Sequence, residues 1–275
     1  MKRAASVVQP ALVRVGNEPI LSLHDVTVGY GETIIQTRLS FDVFRGSIFA
    51  IMGGSGAGKS TVLATMIGLT EPRMGTMKIA GENYWALGAP ERARFGRRFG
   101  VLFQTGALWS SLSVGENVAL PMQMFTGLNP RRIRRLVELK LALVGLDDAI
   151  DLMPGQLSGG MAKRAGLARA LALDPEVLFL DEPSAGLDPV AARRLDELIL
   201  DLRDALGATI VIVSHDLPRL FAIADDGVFL DVKTRTAIAR GSPTSLRDNS
   251  QDPRVRAFMR REESVDTGPR REAIP

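Results

Sequence analysis

The hydrophobic pattern at the start of the chain predicts strands followed by a glycine-rich loop and a helix. Residues 20–23 and 26–28 are short β-rich segments, and Gly29-Tyr30-Gly31 ends the second one. Residues 47–52 form an apolar run, which is typical of a strand buried on both faces. A glycine-rich stretch follows, and then a helical pattern over residues 59–69. This order predicts the beginning of an α/β unit.

The middle of the chain carries a helical pattern. Asn129 can cap a helix whose first residue is Pro130. Apolar side chains then recur at helical spacing, at Ile133, Leu136, Val137 and Leu141. The positions between them hold arginines 131, 132, 134 and 135, whose alternative interpretations are a solvated helix face and a contact with acidic lipid or a partner. We therefore predict a mostly helical insert over about residues 105–165.

The α/β pattern returns after this insert. Asp188 and Pro189 predict the start of one long helix, and Gly207 predicts its end. The predicted elements are helices over residues 161–173 and 189–206, strands over 177–180 and 209–213, and a hairpin over 228–239.

Composition removes several classes of site. The chain has no cysteine, which excludes disulfides, thiolate metal sites and cysteine nucleophiles. Its two histidines, His24 and His215, exclude a multi-histidine zinc site. The net charge of +3, from 34 basic and 31 acidic residues, is too balanced to indicate nucleic-acid binding. We therefore expect no nucleic-acid partner.

The two ends of the chain differ from its middle. Residues 1–18 read as a flexible leader, because Gln9, Pro10, Arg14 and Glu18 break any apolar core of a signal peptide. Polar residues likewise interrupt the uncharged stretch over residues 99–115, so no transmembrane helix is predicted. Eleven of the last 26 residues are charged, and we assign residues 246–275 to a charged tail whose far end is mobile.

Residues 53–60 match the phosphate-loop pattern, with four residues between the first glycine and Gly-Lys-Ser. Glycines let the backbone turn its N–H groups toward phosphate oxygens, and the following helix adds the positive end of its dipole. Lys59 can reach the β- and γ-phosphates, and the Ser60 hydroxyl can ligate Mg²⁺. The predicted ATP-binding residues here are Gly53, Gly54, Ser55, Gly56, Ala57, Gly58, Lys59, Ser60 and Thr61.

Two acids follow the apolar strand at residues 177–180. Asp181 is predicted to hold Mg²⁺ through water, and Glu182 to orient or deprotonate the attacking water. Because ligands sit at the carboxyl ends of parallel strands, we expect both acids beside the phosphate loop.

Leu157-Ser158-Gly159-Gly160-Met161 resembles the signature loop of the ABC ATPases, in which glutamine usually stands where this chain has Met161. Ser158 can cap the following helix and leave the N–H groups of Gly159 and Gly160 facing outward. The resemblance implies that Ser158, Gly159, Gly160 and Met161 contact ATP held by another subunit, so the chain would work as a homodimer.

Further positions match the same family. The resemblance implies that Tyr30 stacks on adenine, and a packed structural tyrosine is the alternative. Gln104 matches the glutamine that senses Mg²⁺ and the attacking water, and His215 matches the switch histidine at the γ-phosphate. Asp188 matches the end of a loop that crosses the dimer interface, and a helix N-cap is a compatible role.

The family implies an α/β fold of ABC-type P-loop NTPase. Its parts are a RecA-like core with a parallel sheet, an antiparallel β subdomain and a helical subdomain. We assign residues 19–245 to this domain, with ATP and Mg²⁺ as cofactors. The implied activity is ATP hydrolysis by Glu182, His215 and Gln104, with Ser60, Gln104 and Asp181 at the Mg²⁺ ion.

Three segments resemble the branch that energises Mla/Mce-type phospholipid transport. They are residues 101–108 around Gln104, the signature ending in Met161 with residues 162–165, and residues 252–258. This resemblance implies membrane permease subunits, a STAS-domain regulatory subunit and an MCE lipid-binding protein as partners. It implies a peripheral position on the cytoplasmic side of the inner membrane.

Three alternatives share part of these motifs. An ATPase of a small-solute importer, for example for amino acids, has the same ATP site and lacks only the three local resemblances. A soluble non-transport ABC protein usually carries coiled-coil insertions or two cassettes, which this sequence does not. A nucleotide-gated interaction module without catalysis conflicts with the presence of Glu182 and His215.

Overall fold

A computed structural model describes residues 18–262 of the chain. The predicted leader therefore lies outside the described residues, except for Glu18, as does the far end of the predicted tail. The strands are β1 (Pro19–Tyr30), β2 (Thr33–Phe44), β3 (Ile48–Gly53), β4 (Met74–Ile79), β5 (Glu82–Asn83), β6 (Phe99–Leu102), β7 (Val177–Asp181), β8 (Thr209–Val213), β9 (Asp226–Asp231) and β10 (Thr236–Arg240). The helices are α1 (Lys59–Met66), α2 (Ala89–Gly96), α3 (Val114–Phe125), α4 (Pro130–Leu143), α5 (Gly159–Ala170), α6 (Pro189–Leu206), α7 (Leu217–Ile223), α8 (Pro243–Asn249) and α9 (Pro253–Arg260).

The strands form two sheets. The larger sheet has the order β10-β9-β3-β8-β7-β6, in which all neighbours are parallel except the β9–β10 hairpin. The smaller sheet is antiparallel, in the order β2-β1-β4-β5. A parallel sheet with crossover helices and an added antiparallel sheet is the α/β architecture that the sequence predicted.

Strand β3 lies in the middle of the molecule, and every one of its residues is buried. Ile48, Ala50 and Met52 pack into one hydrophobic cluster with α5, α6 and the helical insert. Phe49 and Ile51 point the other way, into a cluster with α1 and the antiparallel sheet. Because successive side chains of a strand alternate between faces, this continuous apolar run covers both sides of the sheet.

The helical insert packs on the same cluster. In α4, Ile133, Val137 and Leu141 are buried, which follows the predicted spacing. Asn129 caps this helix by accepting a hydrogen bond from the backbone N–H of Arg132 at 3.0 Å. No helix within residues 18–262 is both long and apolar enough to span a bilayer.

Several elements were not predicted from the sequence. They are β4, β5, β6, α2, α7, α8 and α9. Helix α9 lies in the stretch assigned to the charged tail, yet Val255 and Met259 on it are buried in the main core. The ring of Phe258 also packs edge-on against Phe229 of β9, with centroids 5.0 Å apart.

Candidate functional site

The phosphate loop connects β3 to α1. Gly53, Gly56 and Gly58 have φ values of 145°, 77° and 76°, which L side chains rarely adopt. A Cβ at Gly53 would lie 2.4 Å from the Leu230 carbonyl oxygen, and one at Gly58 would lie 2.3 Å from Cγ2 of Ile35. The chain's own packing therefore requires glycine at these two positions.

Helix α1 begins at Lys59 with its first turn open to a ligand. Gly58 is the N-cap residue, and no side chain caps the first N–H groups. Such uncapped N–H groups, at the positive end of a helix, form an anion-binding site. Ser60 on this turn is exposed and Thr61 is buried.

The Lys59 ammonium lies within the loop. Its Nζ donates hydrogen bonds to the carbonyl oxygens of Gly53 and Gly54, at 3.0 and 2.9 Å. Burial lowers the pKa of Lys59, and the nearby charges of Glu182 and Asp181 oppose this change. The loop therefore holds a cation beside two carboxylates.

Strand β7 brings Asp181 to the same place. Burial raises the pKa of Asp181, and the charge of Glu182 raises it further, while Lys163 and Lys59 lower it. The Oδ1 atom of Asp181 is buried and has no hydrogen-bond partner. A buried carboxylate oxygen without a partner is unfavourable, and a cation or a bound water would satisfy it.

The residues present fit a magnesium ion held mainly by phosphate. Mg²⁺ usually takes one or two protein oxygens together with waters and substrate phosphates. The unpaired oxygen of Asp181 and the exposed Ser60 hydroxyl are such donors. No cluster of three or more metal-ligating His, Asp or Glu side chains occurs within residues 18–262, so an all-protein cage is not formed there.

Glu182 follows β7 in an unusual backbone conformation. Its φ of 46° lies in the left-handed region, and its N–H donates to the Val213 carbonyl at 2.9 Å. Its Oε1 lies 2.9 Å from Nδ1 of His215, which follows β8. The Glu182 side chain is 14% exposed and that of His215 is 72% exposed. The pair therefore has a largely buried acid and an accessible imidazole.

The loop after β6 carries Gln104, which is exposed. The Lys163 ammonium donates to the carbonyl oxygen of Gln104 and, at 3.1 Å, to that of Glu182. Burial lowers the pKa of Lys163, against the charges of Glu182 and Asp181. Sequence reasoning had noted residue 163 only within a family resemblance. A lysine among the small apolar residues of α5 was the available signal, because a buried ammonium needs acceptors.

Gln36 on β2 is a second residue that sequence reasoning missed. It is fully buried, and its Nε2 donates to the carbonyls of Ala57 in the phosphate loop and Asp231 in β9, at 2.9 and 3.1 Å. One polar side chain thereby joins the antiparallel sheet to the phosphate loop. No local pattern in the sequence singled out this residue.

The signature residues form a separate site. Ser158 caps α5 by accepting from the Met161 N–H at 3.2 Å. Gly159 and Gly160 border Leu187 and Ala191, at the start of α6. Within residues 18–262, no hydrogen bond or ion pair joins residues 158–161 to the phosphate loop.

Asp188 and Tyr30 lie outside both clusters. Asp188 caps α6, since its Oδ1 accepts from the N–H groups of Val190 and Ala191, both at 2.9 Å. These bonds, led by that from Ala191, lower its pKa. Tyr30 ends β1, and the residue is 54% exposed. An exposed ring is available for stacking.

Known proteins are similar in sequence to most of this chain. A family model described as ABC transporter matches residues 36–185. The intermembrane phospholipid transport system ATP-binding protein MlaF of Escherichia coli K12 is 42% identical over 240 residues, which is 87% of this chain and 88% of that protein. The MlaF protein of Haemophilus influenzae is 39% identical over 246 residues, with 90% and 92% covered.

Solved structures agree with the family match. The dimeric structure of the ATP-binding cassette MJ0796, bound to ADP and Pi, superposes with a TM-score of 0.73 at 27% identity. The alignment covers 81% of this chain and 98% of that chain. The structure of cbiO1 from Clostridium perfringens gives a TM-score of 0.76 at 28% identity, covering 82% and 90%. The chain therefore belongs to the ABC transporter family of ATP-binding proteins.

Proposed function

We propose that this chain is the ATP-hydrolysing subunit of a phospholipid transporter at the inner membrane. The observation that carries the proposal is the cluster of Lys59, Asp181, Glu182 and His215 at the carboxyl ends of three neighbouring strands. This arrangement combines a phosphate-binding loop with a carboxylate that can act on water. The kind of cargo is inferred from the 42% identical relative, whose name assigns it to intermembrane phospholipid transport.

Residues 53–61 would bind the phosphates of ATP. The first-turn N–H groups of α1 would donate to phosphate oxygens, and Lys59 would exchange its two carbonyl partners for the β- and γ-phosphates. Tyr30 would stack on the adenine ring. Mg²⁺, held by Ser60 and Asp181 with Gln104 nearby, would neutralise charge on the phosphates.

Glu182 would accept a proton from the attacking water. Its short contact with His215 supports this role, because the imidazole restrains the carboxylate on one side. His215, which is largely exposed, would contact the γ-phosphate. Gln104 would help to orient the water.

ATP would bind between two copies of the chain. Ser158 caps the Met161 N–H, which leaves the N–H groups of Gly159 and Gly160 at the positive end of α5 available to a ligand. Each copy would supply a phosphate loop to one ATP and this signature segment to the other. Asp188, at the start of α6, would lie at the interface between the copies.

The permease would dock in an apolar groove formed by α2, β6 and α3. The groove has a volume of about 650 Å³. Its exposed apolar side chains are Phe103, Trp109, Met124 and Phe125. Closure of the two copies would move the helical insert and so the docked permease, and hydrolysis would reset it. The chain would thereby be held on the cytoplasmic side of the membrane.

Two further partners follow from the phospholipid assignment. A STAS-domain subunit would bind the helical insert, where a second groove lies between α3 and α4, next to Ile150. An MCE lipid-binding protein would act on the other side of the membrane, with no contact to this chain.

Capture of the tagged chain from gently solubilised native membranes tests the proposal, with partners identified by mass spectrometry. A permease recovered with an MCE protein and a STAS-domain protein supports phospholipid transport. Recovery of a permease with a solute-binding protein contradicts it in favour of a small-solute importer, and the ATP site is unaffected.

A pair of variants sharpens this test. Trp109→Glu introduces a charge into the groove and should abolish permease recovery while ATP binding persists. Leu206→Glu changes a side chain of matching exposure, 59% against 60% for Trp109, on a different surface. Equal permease recovery with both variants would contradict the assignment of the groove.

A further inference from the structure

Lys163 is a buried cation on the signature helix. Lys163 is 6% exposed, although its neighbours on this face of α5 are the small residues Gly166 and Ala170. Burying an ammonium is unfavourable unless it is hydrogen-bonded to acceptors. The acceptors here are backbone carbonyls of Gln104 and Glu182. The cation therefore lies between Glu182 and the loop after β6 that carries Gln104, which we call the glutamine loop.

The Glu182 backbone is fixed on both sides. Its N–H donates to Val213 of β8, and its carbonyl accepts from Lys163. Between these two bonds the residue holds a φ of 46°, which is unfavourable for a residue with a Cβ and persists only where the surroundings impose it. This backbone conformation directs the carboxylate toward His215, at 2.9 Å. Loss of the Lys163 bond would release one of the two restraints.

Helix α5 also fixes the glutamine loop at two further points. The Arg169 guanidinium donates to the carbonyls of Ala107 and Gly106, at 2.7 and 2.9 Å. Gly166 allows close packing, since a Cβ there would lie 3.1 Å from the Gly106 oxygen. Lys163, Gly166 and Arg169 are three residues apart, so they share one face of the helix. The loop and the helix therefore form one packed unit, and Lys163 connects that unit to Glu182.

We propose that Lys163 is a positioning residue, which fixes the Glu182 backbone and the Gln104 loop to the helix that begins with the signature. This inference rests on the proposed role of Glu182 in activating water. The ammonium of Lys163 is bonded to two backbone carbonyls, and the proposal assigns it no contact with the nucleotide. Lys163 fixes the orientation of Glu182 and the position of Glu182 relative to α5, the signature helix of the same chain. A rigid link of this kind makes ATP cleavage depend on the position of a segment that serves the other ATP.

The test compares lysines of equal burial. Lys163→Met removes the link, and Lys140→Met removes a 5% exposed lysine of α4 that pairs with Asp174, whose side chain is 82% exposed. Both are measured in the full chain within its membrane complex, by binding of fluorescent MANT-ATP and by single-turnover cleavage of ATP. We expect Lys163→Met to cleave ATP roughly 10²-fold more slowly, the effect of a misplacement of about 1 Å, at unchanged affinity for MANT-ATP. Lys140→Met should match the original chain in both.

Two substitutions at the same position separate positioning from a general loss of structure. Lys163→Arg keeps the charge and offers enough N–H donors for both carbonyls, so its cleavage rate should lie within about threefold of the original chain's. Lys163→Gln can donate to one carbonyl without a charge, and its rate should fall between those of the Met and Arg variants. The Gln variant also provides the measurement if Lys163→Met does not fold.

Three outcomes would overturn the proposal. They are cleavage at the original rate in both the Met and Gln variants, a loss explained entirely by weaker MANT-ATP binding, and an equal loss in Lys140→Met. Glu182→Gln is measured beside them. Normal cleavage by Glu182→Gln would reject the role of Glu182 itself. Slow cleavage by Glu182→Gln together with normal cleavage by Lys163→Met would reject only the positioning role of Lys163.

Discussion

The chain contains two glycine-rich helix starts that differ in why they need glycine. In the phosphate loop, Gly53 and Gly58 have positive φ angles of 145° and 76°. A Cβ would lie 2.4 Å from its nearest neighbour at Gly53 and 2.3 Å at Gly58, which is too close for either to be accommodated. In the signature segment, a Cβ at Gly159 or Gly160 would meet its nearest side chains at ordinary distances of 3.8 and 3.4 Å. The fold requires the first pair of glycines and does not require the second.

The electrostatic surroundings of the two glycine-rich segments also differ. The phosphate loop is partly buried with Lys59, Asp181, Glu182 and Lys163, whose charges influence one another. The signature turn is exposed, and the first turn of its helix holds no acidic residue. The first region brings the predicted phosphate-binding residues together within a single chain. In the signature segment, small residues are needed only for the close approach of a ligand or of another chain.

The largest expected effect separates chemistry from binding. Glu182→Gln keeps the size of the side chain and removes its capacity to accept a proton. We expect ATP hydrolysis to fall by roughly 10²–10⁴-fold, the usual contribution of a general base, while ATP binding is retained. Phosphate release and equilibrium binding measure the two quantities. Near-normal turnover would contradict the role assigned to Glu182.

The second largest expected effect concerns ATP binding by the phosphate loop. Lys59→Ala removes the cation that lies 3.0 and 2.9 Å from the loop carbonyls. Because a hydrogen bond to a charged group contributes about 1.5–3 kcal/mol, ATP affinity should fall by at least roughly tenfold. Ser158→Ala is the comparison, and it should leave the affinity of the single chain unchanged. An unchanged affinity in Lys59→Ala would count against the phosphate loop as the ATP site.

Stability distinguishes the two sets of glycines directly. Gly58→Ala forces a Cβ onto Ile35 at a positive φ, and overpacking of this kind costs about 1–3 kcal/mol of unfolding free energy. Gly160→Ala meets no such obstacle and should change the unfolding free energy by less than about 0.5 kcal/mol. Thermal unfolding of both variants measures this difference. A greater loss of stability in Gly160→Ala would contradict the comparison.

The smallest expected effect is the loss of a helix cap. Ser158→Ala removes the acceptor for the Met161 N–H, which typically costs about 1 kcal/mol. Melting should move down by roughly 2–4 °C in a domain of this size. Ser158→Asn retains a capping side chain and should melt close to the original chain. If both variants melt alike and well below it, the cap does not explain the effect.

Local sequence signals predicted the elements whose ends they mark. Helix α6 spans Pro189–Leu206 as expected, because Asp188 caps its start and Gly207, with a φ of 65°, ends it. Strand β8 also has the predicted bounds. The phosphate-loop residues were predicted from their spacing, since glycine, lysine and serine there have chemical reasons to occur in that order.

The remaining contacts and elements could not be predicted, because they depend on residues far apart in the sequence or lack a regular hydrophobic pattern. The bond from Lys163 to Gln104 joins residues 59 positions apart, and no local pattern encodes it. Helix α2 has no buried residue, so it shows no hydrophobic period. In α9, the buried Val255 and Met259 are four residues apart, but the arginines around them make the segment resemble a solvated tail.

Cross-linking between the two regions tests most directly whether they act on one ATP from different chains. The sequence has no cysteine, so Ser55→Cys and Ser158→Cys place the only thiols at two exposed positions. In native membranes, with Glu182→Gln added to retain ATP, a short bismaleimide should give a dimer-sized product that requires ATP. Either cysteine alone serves as the control. A product of monomer size, or a dimer whose yield is the same without ATP, would contradict an ATP shared between two copies.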